Sequence, residues 1–565
     1  MRTGENASEL RGGARLDREE RGPLACVVLI SLALYVYHIW WGLPNGNVTW
    51  AVDAITPLTP LSIAQKSFLH GWNSGWFYFK YSIGHCLVLL LVYLPYIALL
   101  LLTGRSHGVT KTLHHLADSP HAISVLALLG RLTSALMGAA TVWLLYRVTR
   151  RLFGREAAIW SAAAASASLG MVFYTHTTNL DIPSLFWTVL AWDAALALVT
   201  TSQPRQMLVF GVAAAMAIAT KEQAVGFLVG CTAILVAGQA AQWWRGAVSG
   251  ADVLRRLAVG AGAGVLVLLL TYNAFYNPLG FYRRLQFLTG RLPADVWAEL
   301  VPRAAYISPG TLMGLGAQWE MFRESCWAMA WSMGFAWMAF ALIGLAIALR
   351  RMPLATLGVM VPFAAYFFLS LPALPQPPNV RYVLQMTIAL TLLGGVTCTA
   401  LWARGPAGKA LVLAVLAYTY AGGAGVDYLL AHDPRYQVER WLAQNAPPGT
   451  RIETYHKATF SPRFPANVKV VRPKFHHINK AEFEQRTPDM VLLNLVDLER
   501  ITERYDKKDP VMVQPPENKE FLDALMQGEL GYREVATFHA SWPLIPDGIM
   551  RSLSPPFVLL ARGQA

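Results

Sequence analysis

Residues 121–155 read HAISVLALLGRLTSALMGAATVWLLYRVTRRLFGR. The part from 121 to 146 is largely apolar and is long enough to cross a hydrocarbon core of about 30 Å. Arginines follow at once, at positions 147, 150, 151 and 155. The positive-inside rule places such a cluster at the cytoplasmic end of a transmembrane helix. The stretch therefore predicts a span that runs inward and ends in the cytoplasm.

The whole chain has the composition of a membrane protein. It has 565 residues, of which 55% are hydrophobic and 14% are charged, and its mean hydropathy is +0.37. The net charge of +13 invites comparison with nucleic-acid-binding proteins. However, many arginines lie in short loops between apolar runs, as the positive-inside rule requires. We therefore interpret the charge as a sign of topology.

The apolar runs predict about eleven transmembrane helices. The predicted spans are residues 24–42, 121–146, 157–174, 183–200, 206–220, 223–241, 257–275, 326–349, 353–371, 383–403 and 410–428. Since the number is odd and the arginine-rich N-terminal tail is predicted to be cytoplasmic, the C-terminus is predicted to lie outside. Residues 85–103 are also apolar enough to span, but a crossing there would move the arginine cluster outward. We predict that this segment lies along the outer interface or is re-entrant.

Three regions follow from these patterns. Residues 1–23 form a predicted cytoplasmic tail, and 24–428 form the membrane domain with a first outer loop at 43–120. Charged residues return after 428, so 429–565 is predicted to be a water-soluble extracytoplasmic domain. Its pattern is α/β, with strand-like RIETYH (451–456) and DMVLLNL (489–495) and predicted helices at 436–445 and 519–526.

Cysteine and glycine patterns give no sign of a resident cofactor. The five cysteines (Cys26, Cys86, Cys231, Cys326 and Cys398) fall in predicted hydrophobic helices, where we expect small buried side chains. The sequence has no Cys/His zinc spacing, no D-x-D motif and no glycine-rich phosphate loop. A nucleotide-sugar enzyme is therefore disfavoured. We predict no cofactor, and a divalent metal ion stays open.

The first outer loop carries the most informative polar residues. Asp53 lies in NGNVTWAVDAITPLTP (45–60), directly after the first predicted span, and Lys80 follows in WFYFKYSIGH (76–85). An ionisable residue close to lipid is costly and is a functional-site candidate by default. The pair predicts a reaction at a lipid-linked phosphate on the outer face. The alternative is an aspartate bound by backbone amides.

Other polar residues are predicted at the same face. They are Arg131 in the second span, His176, Asn179 and Asp181 in THTTNLDIPSLFW, Lys221 and Glu222 in ATKEQAVG, and Arg381 and Tyr382 in PPNVRYVLQ. A long outer loop adds Tyr272, Asn273, Tyr276, Arg283, Arg284, Arg291 and Arg303. Together they predict a site for an anionic, polar substrate.

Each of these residues alone has a structural alternative. Asp181 could cap the helix that opens with Pro183. Lys221 and Glu222 could form an interfacial pair with each other, and Arg381 could reach lipid headgroups.

At these motifs the chain resembles the bacterial branch of the dolichyl-phosphate-mannose protein mannosyltransferases, which have the GT-C fold and are related to the lipid A aminoarabinose transferases. The similar segments include GRLTSALMGAATVWLLYRVTRRLFGREAA, YTHTTNLDIPSLFW, ATKEQ and NVRYVL. The resemblance implies an integral protein of the bacterial inner membrane. It also implies transfer of a sugar from a polyprenyl-phosphate carrier to a protein, lipid or polysaccharide acceptor at the outer face.

The resemblance also implies roles for individual residues. Asp53 corresponds to the catalytic base, and Asp181 to an acid that positions the donor or acceptor. Lys80 and Arg381 are candidates for binding the carrier phosphate. Two positions depart from the family pattern, because Ala54 stands where many relatives have a glutamate and Lys80-Tyr81-Ser82-Ile83 stands in place of K-Y-P-P.

A second class of function shares many of these features. A transporter or flippase for a lipid-linked sugar would also need many helices and cations for phosphate. Transporters, however, bind near the middle of the membrane, often between internal repeats. Here the polar residues are predicted at one edge, which favours an inverting glycosyltransferase with Asp53 as base.

Overall fold

The structure is a computed structural model. It describes residues 18–45, 50–51, 54–65, 83–103, 109–200, 203–289, 291, 315–373, 379–455, 461–473, 478–496, 498 and 516–563.

The region before residue 432 is helical throughout the described residues. Its helices are α1 Arg18–Val36, α2 Thr59–Ala64, α3 Gly84–Leu102, α4 Val109–Asp118, α5 Pro120–Phe153, α6 Arg155–Ser166, α7 Leu169–Thr175, α8 Asp181–Thr200, α9 Pro204–Thr220, α10 Ala224–Trp244, α11 Gly250–Thr271, α12 Pro278–Leu288, α13 Leu315–Met333, α14 Phe335–Arg351, α15 Pro353–Leu369, α16 Leu384–Trp402 and α17 Pro406–Ala431.

Seven helices among the described residues are long and apolar enough to cross a membrane, or up to nine if each of two bent pairs is one span. The predicted class, a polytopic helical membrane protein with a C-terminal α/β domain, is confirmed. The predicted count of eleven spans is not. Helix α3 passes the same test, with a mean hydropathy of 2.4. Its placement along the interface stays a prediction.

Several predicted spans have different boundaries in the structure. The segment 157–174 is two helices, α6 and α7, with a bend of 55° between them. The segment 326–349 is not one helix, because the chain bends by 112° between α13 and α14. Gly334 lies between them with a φ of 84°, a left-handed conformation that favours glycine. The first helix ends at Val36, earlier than the predicted residue 42, and a turn follows.

The two ends of α8 carry different ionic contacts. Asp181 is its first residue, and Asp193 lies twelve residues, or about 18 Å, further along the helix axis. The Asp193 carboxylate is 2.8 Å from Arg147 and 2.9 Å from Arg151. Arg147 and Arg151 of the predicted cytoplasmic cluster are therefore paired in the second half of α8, whereas Asp181 begins the helix.

The C-terminal region is an α/β fold, as predicted. Its elements are α18 Pro434–Asn445, β1 Arg451–Thr454, β2 Lys469–Val471, α19 Lys480–Arg486, β3 Met490–Asn494, α20 Pro516–Met526, β4 Tyr532–Phe538, α21 Asp547–Leu553 and β5 Phe557–Arg562. The sheet order is β2-β1-β3-β5-β4. Strand β1 is parallel to β2 and β3, whereas β5 is antiparallel to β3 and β4.

The central strands bury both faces of this sheet. Val491 and Leu493 of β3 pack with Phe521 and other residues of α20. Leu492, which points to the other face, packs with Val438 of α18. The sheet therefore has helices on both faces, which explains why its strands read as continuous apolar runs.

The contacts divide the described residues into two compact units. One of them, the C-terminal unit, contains the described residues from 425 onward together with the described residues of 40–51. The other, the membrane unit, contains the remaining described residues. Residues 40–51 follow the first helix, and no sequence pattern indicated that they belong with the C-terminal unit.

Close packing of the membrane unit depends on glycine at position 344. A Cβ at Gly344 would lie 1.8 Å from the carbonyl oxygen of Leu393, whereas a Cβ at Gly262 would meet nothing within 4 Å. We predict that Gly344→Ala lowers the free energy of unfolding by about 1–3 kcal/mol, the usual range for overpacking. Gly262→Ala is the matched control, since both changes replace a helical glycine and gain similar helix propensity.

The measurement is the midpoint of heat-induced unfolding of the purified variants in one detergent. Gly344→Ala should unfold at a lower temperature, and Gly262→Ala at the wild-type temperature or slightly above it. Equal midpoints for the two variants would contradict the packing argument.

Candidate active site

A buried ion-paired cluster joins three residues that are distant in sequence. The Asp181 carboxylate accepts a hydrogen bond from Lys221 Nζ at 2.6 Å and one from Arg381 Nε at 3.0 Å. The side chain of Asp181 is 1% exposed, and those of Lys221 and Arg381 are each 9% exposed. We call these three residues the Asp181 cluster.

The ends of three helices bring this cluster together. Asp181 begins α8, Lys221 directly follows the last residue of α9, and Arg381 lies in the turn before α16. Charged residues at helix ends can meet without placing an ion in the middle of an apolar span. The short polar motifs between the predicted spans therefore converge.

Two tyrosines complete the surroundings of the cluster. The ring of Tyr382 lies 5.1 Å from Lys221 Nζ and 5.6 Å from the guanidinium carbon of Arg381, within the range of cation–π attraction. The Tyr366 hydroxyl donates a hydrogen bond of 2.7 Å to the carbonyl oxygen of Tyr382. The aromatic ring is thus fixed beside both cations.

A second ionic group adjoins the cluster through the peptide bond between Lys221 and Glu222. The Glu222 carboxylate is hydrogen-bonded to Arg284, and the Tyr272 hydroxyl donates to the same carboxylate at 3.3 Å. The guanidinium of Arg284 also lies 5.8 Å from the ring of Tyr272. Lys221 and Glu222 therefore pair with different partners and not with each other.

Three of these five ionic residues are cations, namely Lys221, Arg381 and Arg284, and the two anions are Asp181 and Glu222. Cations gathered in surroundings of low dielectric attract an anionic ligand, because Coulomb interactions are stronger there than in water.

The structure places other predicted site residues at the turn after α1. Arg131 donates a hydrogen bond of 2.6 Å to the carbonyl oxygen of Ile39. The ring nitrogens of His176 lie 2.7 Å from the carbonyl oxygens of Val172 and Tyr37. Asn179 is buried two residues before Asp181. Substrate contacts by Arg131, His176 and Asn179 stay predictions.

Asp53 and Lys80 lie outside the described residues, but both have close neighbours in sequence that are described. Ile55 follows Asp53 by two positions. Its N–H donates to the Thr178 carbonyl at 3.2 Å, and its own carbonyl accepts from the Thr178 hydroxyl at 2.7 Å. Thr178 precedes Asp181 by three positions, so the chain joins Asp53 to a residue bound near the Asp181 cluster.

The neighbour of Lys80 is Gly84, four positions further on. A Cβ at Gly84 would lie 2.6 Å from the carbonyl oxygen of Ala219, so the start of α3 is tightly packed against the end of α9. Ala219 precedes Lys221 by two residues. The chain therefore joins Lys80, too, to a residue packed close to the cluster.

The burial and the pairing of Asp181 and Arg381 do not fit the structural alternatives, in which Asp181 only caps a helix and Arg381 reaches lipid headgroups. Asp181 pairs with two cations and is not occupied only as a helix cap, and the Arg381 side chain is too buried to reach headgroups freely.

The sequence does not single out Tyr366, because a tyrosine inside an apolar span gives no signal of a polar role. It places Arg284 only among the residues of the long outer loop.

Among the described residues, no group of three or more His, Cys, Asp or Glu side chains is arranged to hold a metal ion.

Residues 121–259 match the family model described as dolichyl-phosphate-mannose-protein mannosyltransferase. The resemblance indicated by the sequence motifs is confirmed for this segment. It contains Asp181, Lys221 and Glu222, and it supports a glycosyltransferase activity. None of the curated protein sequences that were compared matches the chain.

Several solved structures are similar to this chain. The oligosaccharyltransferase of Archaeoglobus fulgidus, in complex with Zn and sulfate, has a TM-score of 0.47 at 14% identity, covering 89% of this chain and 70% of that one. ArnT from Cupriavidus metallidurans, bound to undecaprenyl phosphate, has a TM-score of 0.46 at 14% identity, covering 95% and 98%. The mycobacterial arabinofuranosyltransferase AftD has a TM-score of 0.36 at 15% identity, covering 98% and 40%.

The charge balance of the Asp181 cluster predicts unequal effects of its variants on stability. Asp181→Asn leaves two buried cations without their carboxylate, and removal of one partner from a buried ion pair costs about 3–5 kcal/mol. Lys221→Met leaves one carboxylate with one cation, so this variant should lose clearly less stability than Asp181→Asn. The measurement is the midpoint of heat-induced unfolding in one detergent.

The control is Asp252→Asn, which breaks an ion pair with Arg255 whose side chains are 43% and 74% exposed. Exposed pairs contribute at most about 1 kcal/mol, so this variant should unfold close to the wild-type midpoint. A Lys221→Met midpoint below that of Asp181→Asn would contradict the proposed charge balance.

Proposed function

We propose that the protein is a polyprenyl-phosphate-dependent glycosyltransferase. It moves a hexose or pentose from the carrier lipid to an acceptor at the outer face of the membrane, with inversion at the anomeric carbon. Asp53 is the base, and the Asp181 cluster belongs to the binding site of the carrier phosphate.

The observation that carries this proposal is the meeting of two nearly buried cations, Lys221 and Arg381, at the carboxylate of Asp181, in a cluster to which the chain joins both Asp53 and Lys80. A polyprenyl-phosphate sugar is a phosphodiester with a single negative charge, so it complements these cations. The membrane domain gives a lipid-linked donor access from the bilayer, and the family match supports a sugar as the transferred group.

The chemical step needs little beyond positioning and charge. The acceptor hydroxyl attacks the anomeric carbon from the side opposite to the phosphate, and its proton passes to the Asp53 carboxylate. The bond between the anomeric carbon and the phosphate oxygen breaks, and its electron pair stays on the phosphate. That group changes from a diester with one negative charge to a monoester with about −1.5 to −2 at pH 7. Cations near the leaving oxygen stabilise the charge that develops.

The remaining candidates are assigned by their position. Lys80, Lys221 and Arg381 contact the phosphate, with Asp181 holding the latter two in place and Tyr382 fixing their approach. Glu222 orients Arg284. Arg131, His176 and Asn179 contact the substrate less directly, because Arg131 and His176 also hold the backbone at residues 37–39.

The proposed setting is the inner membrane of a bacterium. The N-terminus lies in the cytoplasm and the C-terminal domain lies outside, where a protein, lipid or polysaccharide acceptor is available. Membrane lipids surround the helices, and nucleic acid is not a partner.

Turnover of defined donors tests the proposal. Purified protein in nanodiscs is supplied with polyprenyl-phosphate hexoses and pentoses and with a membrane extract as the source of acceptors. Wild type should release polyprenyl phosphate. Asp53→Asn should release it at least about 100-fold more slowly, since general base catalysis contributes about 10²–10⁴-fold. Carrier binding by Asp53→Asn should remain close to that of the wild type.

The matched control is Asp118→Asn, because Asp118 is an exposed carboxylate in the same predicted outer loop. It should leave release unchanged. Tight binding of the carrier without release from any donor would overturn the enzyme and favour a transporter or flippase.

A further inference from the structure

Residues 41–43 and 50 are held by an aromatic and ionic cluster of the C-terminal unit, to which they themselves belong. Arg435 bonds both carboxylate oxygens of Asp433, at 2.8 and 2.6 Å. Its guanidinium lies 4.4 Å from the ring of Trp50 and 5.3 Å from that of Trp41. Together with Arg463, these residues form what we call the arginine–tryptophan anchor.

The anchor and its neighbour Tyr436 bind polar groups of residues 41–43. The Trp41 indole N–H donates to Asp433 at 3.0 Å, and the Gly42 N–H donates to the Tyr436 hydroxyl at 2.7 Å. Arg463 donates to the carbonyl oxygen of Leu43 at 2.9 Å.

Trp50, at the end of this stretch, has the most contacts. Its indole N–H donates to the carbonyl oxygen of Ser461 at 3.0 Å, and its own carbonyl accepts from Arg435 at 3.3 Å. Its ring also packs edge-on against Tyr436, with centroids 4.8 Å apart, and lies 5.6 Å from the guanidinium of Arg463.

This arrangement is as buried as a domain core. Trp41 and Trp50 are each 1% exposed, Arg435 is 2% exposed and Asp433 is fully buried. Burial of a guanidinium is costly unless each of its charges and donors is met, and here the carboxylate, a carbonyl oxygen and two ring faces meet them. Such a cluster has one geometry, so it holds the backbone at residue 50 in one position.

We propose that the arginine–tryptophan anchor positions the base of the transfer reaction. Asp53 lies outside the described residues, but in the sequence it follows Trp50, which is bound to the anchor, by three residues and precedes Ile55, which is bound to Thr178, by two. The inference rests on the proposed role of Asp53. It makes the C-terminal unit a requirement for the chemical step, beyond any contact with the acceptor. Arg435 and Trp50 are thus positioning residues.

The size of the expected effect follows from the geometry of catalysis. A catalytic group displaced by about 1 Å can lose about 100-fold in rate. Arg435→Lys keeps the charge but removes the two-pronged bond to Asp433 and the planar stacking on tryptophan. Trp50→Phe keeps an aromatic ring and removes the bond to Ser461.

The control is Arg486→Lys in the same unit. Arg486 bonds both carboxylate oxygens of the buried Glu453 at 2.8 Å, and its described ionic partners are Glu453 and Glu482. It therefore reproduces the loss of a buried two-pronged ion pair without touching residues 40–51.

The experiment compares full-length wild type and these three variants in nanodiscs. The readouts are kcat and KM for polyprenyl-phosphate release, the unfolding midpoint, and hydrogen exchange of peptides that cover residues 40–58. Arg435→Lys and Trp50→Phe should lower kcat by about ten-fold or more with KM within about two-fold, since the base and not the donor site is displaced. Exchange in 40–58 should become about ten-fold faster in both variants. Arg486→Lys should leave kcat and hydrogen exchange in 40–58 unchanged, even where its unfolding midpoint falls by as much as those of the other two variants.

Hydrogen exchange separates failure of this inference from failure of the proposed function. Unchanged exchange in Arg435→Lys overturns the anchor whether or not the protein is active. Faster exchange with an unchanged kcat overturns the positioning of the base. An equal loss of kcat in Arg486→Lys would show a general effect of a weakened domain and would also overturn it. A wild type that is inert toward every donor would refute the proposed function, and with it the positioning of a base, and exchange would then show only whether the anchor holds the loop.

Discussion

The buried carboxylate of Asp181 is the interaction on which the membrane unit most depends. Lys221 and Arg381 are nearly buried, and neither cation is tolerable there without a counter-charge. One carboxylate serves both, so the start of α8, the end of α9 and the turn before α16 have to meet at one point. Ridge-and-groove packing of apolar helices would allow several arrangements, whereas this ionic requirement selects one of them.

Described residues on either side of Asp53 in the sequence have buried polar contacts. Arg131 and His176 hold the backbone of Ile39 and Tyr37, the arginine–tryptophan anchor holds residues 41–43 and 50, and Thr178 holds Ile55. A simple connection between helices would not need a buried arginine and two buried tryptophans. These contacts support the proposal that the position of Asp53 matters for the reaction.

The sequence predicts the helical class, the C-terminal α/β domain and the members of the Asp181 cluster one by one, because apolar length and polar motifs at span ends are local signals. It does not predict their pairing. Lys221 and Glu222 are adjacent, so the sequence allows an ion pair between them, yet each has an ionic partner at least 40 residues away. Trp41 and Asp433 are 392 positions apart, and no local pattern links them. The sequence also does not predict the helix break at Gly334, because the apolar run continues through it. Long-range pairing depends on packing, which periodicity does not describe.

The contacts of Asp181 also bear on which carboxylate acts as the base. A base has to accept a proton in the transition state. Protonation of Asp181 would remove the negative charge that Lys221 and Arg381 share, and in the proposed reaction it would do so just as the carrier phosphate departs. A carboxylate in that position is suited to stay ionised and to keep the phosphate-binding cations in place. Two acids with different surroundings commonly divide such tasks. The proton then has to go to another group, and Asp53, which the chain joins to Thr178 on one side and to the anchor on the other, is the carboxylate that the sequence offers.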